Sequence, residues 1–155
     1  LKKSEIMLEI ERKYLLKSMD WKDECIQSVT NIQQAYLFED KDKSLRIRIR
    51  SKEAFLTIKM GQGLARNEYE YAITLEDADE MMAKANLRCL EKTRYVILHK
   101  NNLWEIDVFH GKHNGLILAE IELGSIDEEV ELPTWIGEEV TENPAYLNVQ
   151  LFKNL

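Results

Sequence analysis

Charged residues recur in this chain at intervals of two, and they are sorted by sign. Glu9, Glu11 and Lys13 share one parity, as do Arg46, Arg48 and Arg50, then Thr57 and Lys59, and Glu68 and Glu70. Further along the same spacing gives Lys92 and Arg94, Glu105 and Asp107, and Glu120 and Glu122. In an extended chain, residues two apart share a face. The opposite parity is largely apolar or aromatic: Leu8 and Ile10, Ile47 and Ile49, Leu56 and Ile58, Tyr69 and Tyr71, Ile121 and Leu123. A solvated outer sheet face also alternates in this way. Three arginines on one face repel unless an anion or carboxylates lie among them. Paired carboxylates repel likewise unless a cation lies between them. The pattern therefore admits two readings: a solvated face, or an internal site for an anion and a metal.

Composition bounds the rest. The chain has 155 residues, of which 45% are hydrophobic and 32% charged. That suits one globular domain spanning residues 1–155. No apolar run approaches the ~20 residues that cross a bilayer as a helix, and no signal segment follows Lys2–Lys3. The net charge of −7 argues against a nucleic-acid surface. The charge is segregated, with eight basic and two acidic residues from Lys41 to Arg66, and nine acidic and no basic residues from Glu120 to Asn143. Cys25 and Cys89 lack companions at zinc spacing, which fits reduced thiols in a cytoplasmic protein.

Most of the elements that must position these residues read as strands. The candidates are Glu5–Leu16, Ile32–Phe38, Leu45–Arg50, Phe55–Lys59 (bounded by Gly61-Gln62-Gly63), Asn67–Thr74, Leu87–His99, Leu103–His110 and Leu116–Leu123. Asn101-Asn102 is a hairpin signal. Helical spacing is confined to a short stretch from Ser18 to about Ser28, to Thr74–Ala85 with Thr74 as N-cap, and to Pro144–Phe152 entered at the proline. The fold class expected is mainly β, antiparallel, with a few helices. His99, His110 and His113 sit near turns, and Trp21, Trp104 and Trp135 read as packing residues. There is no Ser-His-Asp set and no Walker-type glycine loop.

The run Glu9-Ile10-Glu11-Arg12-Lys13-Tyr14-Leu15 resembles the N-terminal ExExK signature of the CYTH, or triphosphate tunnel metalloenzyme, family in its bacterial form. Later segments resemble that family in the same order. They are Gln34-Ala35-Tyr36-Leu37, Leu45-Arg46-Ile47-Arg48, Leu56-Thr57-Ile58-Lys59, Lys92-Thr93-Arg94-Tyr95, Trp104–Phe109, Leu118–Leu123 and the tail around Val140-Thr141, Tyr146, Asn148 and Leu151.

The resemblance implies a closed or nearly closed antiparallel barrel of about eight strands, with the charged parity lining a tunnel and short helices covering the outside. It implies that Arg46, Arg48, Lys59, Lys92 and Arg94 grip a triphosphate, with Lys13 near the attacked phosphoryl group and Tyr36 aiding its placement. It further implies that Glu9, Glu11, Glu120, Glu122 and Asp107 surround one or two divalent cations, magnesium or manganese. The reaction implied is in-line attack of water on a terminal phosphoryl group of inorganic tripolyphosphate, giving pyrophosphate and phosphate. The alternatives within the family are adenylate cyclase and thiamine triphosphatase; outside enzymes, the alternative is a non-catalytic polyphosphate-binding module. The partner implied is a small-molecule triphosphate, not nucleic acid or membrane, and a homodimer stays open.

Overall fold

The computed structural model describes residues 7–62 and 65–155. The expected strand start at Glu5, the inward or outward aim of Leu8, and Gly63 lie outside what is described. Nine strands run β1 (Met7–Leu16), β2 (Cys25–Glu39), β3 (Lys43–Arg50), β4 (Glu53–Met60), β5 (Ala65–Ile73), β6 (Leu90–His99), β7 (Asn102–Phe109), β8 (Ile117–Glu122) and β9 (Ile136–Glu139). The helices are α1 (Leu75–Lys84) and α2 (Asn148–Lys153).

Every strand pairing is antiparallel, in the order β5-β4-β3-β2-β6-β7-β8-β1-β9, and β5 also pairs with β1. Eight strands thus close into a barrel, as the resemblance implies, and closure removes the sheet edges. β1 is shared. Its first half pairs with β5 (Glu9 opposite Arg66), and its last residues pair with β9 (Leu16 opposite Ile136).

Closure sends one parity inward and the other outward. The outward parity is buried under two covers. Ile10, Tyr14, Ile97, Trp104, Ile106 and Ile121 pack beneath Trp21 and Trp135. Ala35, Ile47 and Ala54 pack beneath Ala78 and Met82 of α1. The Thr74 side chain accepts a hydrogen bond from the Asp77 N–H at 3.0 Å, the expected N-cap. The third apolar cluster plugs one end of the barrel. There Leu90, Phe109 and Leu118, on the inward parity, meet Val140 and Leu151.

The helical stretch expected from Ser18 to about Ser28 is only a 3-10 turn at Asp20–Asp23, because from Cys25 the backbone pairs with β6 as strand β2. The Asn101-Asn102 turn sits one residue earlier: Lys100 takes a positive φ of 54°, and Asn102 already pairs with His99. The helix expected over Pro144–Phe152 divides into a 3-10 turn at Pro144–Tyr146, an extended Leu147, and α2. Among the described residues no helix is long and apolar enough to cross a membrane.

Candidate active site

The register brings the charged residues face to face around the lumen. Lys13 lies opposite Glu120, Glu120 opposite Glu105, Arg94 opposite Asp107, and Glu11 opposite Glu122. On the other wall Gln34 lies opposite Arg48, Arg46 opposite Thr57, Thr57 opposite Glu70, and Lys59 opposite Glu68. The strand parity that suggested an internal site in the sequence is therefore lumenal. A cavity of about 450 Å³ opens between the β2–β3 hairpin and the segment from Pro144 to Val149, lined among others by Glu11, Lys13, Tyr36, Arg46, Lys59 and Arg66.

The β6–β7–β8 wall holds a dense ionic network. Arg94 binds both oxygens of Asp107, through Nε and Nη2, at 2.7 Å each. Its Nη2 also reaches Glu120 Oε2 at 3.1 Å, and its Nη1 pairs with Glu105. Lys92 pairs with Asp107 and donates to Asn148 Oδ1 at 3.2 Å. Lys13 Nζ lies 3.0 Å from Glu120 Oε1 and donates to the Tyr146 carbonyl at 3.1 Å. Burial opposes the Glu120 charge, but Lys13, Arg94 and Lys92 overcome it and hold the carboxyl well below its ordinary range. Asp107 is lowered in the same way, with Arg94 and Lys92 overcoming burial. Burial alone would push the Lys13 ammonium down; Glu120 and Glu11 more than offset it, and the group sits above the ordinary lysine value.

The β3 wall is different. Arg48 is 8% exposed, and its Nε and Nη2 both donate to the neutral Gln34 Oε1, at 3.1 and 3.0 Å. Arg46 is 5% exposed; its Nη2 reaches Thr57 Oγ1 at 3.3 Å, and its buried Nε meets no acceptor among the described residues. Burial, then the nearby Arg46 and Arg94 charges, pulls the Arg48 guanidinium down to about 9, still charged at neutral pH. Among the described residues, the two arginines therefore present charge that no carboxylate hydrogen-bonds. Tyr36 lies beside them, its ring 5.5 Å from Phe152.

The acidic residues divide between two settings. Asp107 and Glu120 are committed to cations, as described. Glu9 pairs with Lys59, which also lies 3.2 Å from Glu68. Glu122 is raised by burial and then by Glu9, Glu11 and Glu68. Among the described residues, no group of three or more Asp, Glu, His or Cys side chains stands ready-made as a metal cage. The donor chemistry still fits a hard divalent cation, because Glu9, Glu11 and Glu122 crowd negative oxygen together near the cavity.

Four participants were named in the sequence reading without a role in the site. Gln34 and Thr57 act as neutral partners of the arginines, and Tyr146 and Asn148 reach Lys13 and Lys92 from the C-terminal segment. Gln34 and Thr57 do carry the inward parity, which is a usable signal. The histidines stay outside the site: His99 bonds Glu24 at 2.7 Å, His110 bonds Thr93 at 2.7 Å, and His113 bonds the Leu151 carbonyl at 2.7 Å.

Two relatives are similar to this chain nearly end to end. An inorganic triphosphatase of Acetivibrio thermocellus is 38% identical over 148 residues, covering 94% of each chain. An inorganic triphosphatase of Nitrosomonas europaea is 38% identical over 149 residues, covering 94% of this chain and 97% of its own. A crystal structure of an inorganic triphosphatase superposes with a TM-score of 0.69 at 35% identity, covering 96% of this chain and 97% of that one. A putative adenylyl cyclase from Hippeastrum, described as having a dominant triphosphatase activity, shares the fold alone, with a TM-score of 0.59 at 14% identity over 76% of this chain and 80% of its own. The match to the family's sequence pattern runs over residues 7–151, most of the closed barrel and its C-terminal cap, and the chain belongs to the CYTH domain family.

Proposed function

We propose that this chain hydrolyses a triphosphate inside the barrel, with inorganic tripolyphosphate as substrate and pyrophosphate and phosphate as products. The observation that carries the reading is the pair Arg46 and Arg48: buried guanidinium groups whose hydrogen-bond partners among the described residues are all neutral. Such charges are costly to bury, and a polyanion held by their planar forks compensates them. The two curated relatives named inorganic triphosphatase support the same reading.

Each group has a distinct task. Arg46 and Arg48, with Lys59 and Lys92, hold phosphate oxygens and fix the chain for in-line attack. Lys13 is held between Glu120 and the Tyr146 carbonyl, charged and rigid, and meets charge that develops on the attacked phosphoryl group. Arg94 holds Asp107, Glu105 and Glu120 in place and adds positive potential to the wall. Tyr36 borders the cavity and helps to place a phosphate. Glu9, Glu11 and Glu122 would hold one or two magnesium or manganese ions, with Glu120 and Asp107 bordering that site from the ionic network. A divalent cation bound there would neutralise phosphate charge and lower the pKa of a water nucleophile.

The test is phosphate release from tripolyphosphate, ATP and thiamine triphosphate, each with magnesium or manganese and with chelator. Tripolyphosphate should turn over fastest, and chelator should abolish turnover. The double variant E9Q/E11Q should keep the fold and lose hydrolysis, because amides are poor ligands for these cations. Tight tripolyphosphate binding without release of phosphate under any metal would show a binding module instead.

A further inference from the structure

Strand parity explains the cations and carboxylates of the lumen but not the wall that faces them across the cavity. That wall is the C-terminal segment, and its Pro144, Leu147, Asn148 and Val149 line the opening. The segment is shaped to reach inward. The extended Leu147 breaks the helical path, and Asn148 begins α2 with its side chain against Lys92.

Lys92 is 1% exposed, packed with its ammonium 5.4 Å from the Phe109 ring centroid. Its like-charged neighbours are Arg94 and Arg48. An ammonium has three N–H bonds and only donates. One goes to Asp107 and one to Asn148 Oδ1, which leaves one N–H for a further acceptor beside the cavity that Asn148 lines. Because lysine offers no acceptor, the Asn148 oxygen, not its NH2, must face it. The neutrality of that oxygen matters. A second carboxylate there, beside Asp107, would orient the lysine equally well but would offset still more of the charge an anion needs. The same segment directs the Tyr146 carbonyl, another neutral acceptor, onto Lys13.

We infer that Asn148 is a positioning residue of the anion site: its amide oxygen orients Lys92 toward a bound phosphate chain without neutralising it. This deepens the proposed triphosphate reading and rests on it. The structural alternative is that Asn148 only tethers the C-terminal cap to the barrel.

The two roles separate in N148A and N148D. Steady-state kinetics with tripolyphosphate and magnesium would be joined to metal-free calorimetry with tripolyphosphate and to thermal melts. Losing a hydrogen bond to a charged group should raise KM and the metal-free Kd in N148A by roughly 5- to 20-fold, with kcat within about twofold. N148D keeps the oxygen and strengthens the tether, yet it should bind more weakly than N148A, because it places a carboxylate against the polyanion. KM unchanged in N148A, or N148D binding better than N148A, would overturn the inference and leave Asn148 as a tether. Wild-type protein that binds tripolyphosphate without turning it over defeats only the hydrolase reading, and the order of Kd values still decides the role of Asn148. Wild-type protein that binds no tripolyphosphate defeats both.

Discussion

At the scale of single residues, the lumen cations differ in what already satisfies them. Arg94 has three carboxylate partners, Arg48 has one amide, and Lys92 has one carboxylate and one amide. Lys92 is the most revealing by titration. Burial pushes its ammonium down to about 8; Asp107 resists the fall, and Arg94 adds to it. The folded-state pKa is thus depressed below that of a free lysine near 10.4. Two consequences have opposite signs. The folded protein prefers neutral Lys92, so this group's contribution to stability improves as pH rises from about 8 toward 10. A bound polyanion prefers charged Lys92, so affinity for tripolyphosphate should fall over the same range. Calorimetry at pH 8.5 in two buffers of different ionisation enthalpy should therefore show more proton uptake, or less release, on binding than in K92M, the ionisation of tripolyphosphate itself being common to both. The same proton exchange in wild type and K92M would exclude charged Lys92 from the anion site.

At the scale of elements, what the sequence disclosed depended on whether an element carries its own signal. α1 does: Thr74 precedes an acidic first turn and helically spaced Leu75, Ala78, Met81 and Met82, and the structure places the helix at Leu75–Lys84. T74A should cost about 1 kcal/mol, lowering the melting midpoint by roughly 2–4 °C, with kcat and KM unchanged, since α1 touches only the outer face. Altered kinetics in T74A would mean that α1 shapes the lumen. Eight strands were legible because alternation is forced on a barrel strand, whose two faces see lumen and core. β9 was not legible. Its sequence Ile-Gly-Glu-Glu does not alternate, and it is defined by its partner β1: a Cβ on Gly137 would meet the Leu15 carbonyl oxygen at 3.0 Å. The first residues of β2 become strand because β6 pairs with them, Cys25 opposite Leu98, and no local pattern marks that. The site divides the same way. Barrel parity disclosed the charged side chains, but Asn148 and the Tyr146 carbonyl enter through a break at Leu147 that only the closed fold makes useful.

At the scale of the whole molecule, a chain of net charge −7 surrounds a cavity whose β3 wall carries buried arginines that hydrogen-bond no carboxylate among the described residues. The local field governs binding, and the total charge governs solubility. Holding Arg46 and Arg48 this way lowers the stability of the ligand-free barrel, a cost located at the candidate site. A bound polyanion should recover it. At a hundredfold excess over Kd, tripolyphosphate should stabilise the fold by about 2.7 kcal/mol, a rise of roughly 5–11 °C for a chain of this size. R48M should remove most of that rise while leaving the ligand-free midpoint unchanged or higher, because a buried charge gives way to an apolar side chain. R94M should do the reverse to the ligand-free protein, since it strands Asp107, Glu105 and Glu120 without their shared cation, at a cost of about 3–5 kcal/mol. The two arginines share residue type and sheet, and Arg94 is the less buried of the two, so the contrast turns on the partners each one has. If R48M destabilises the ligand-free barrel as much as R94M does, Arg48 is part of the structural network, and the anion site must be sought elsewhere in the lumen.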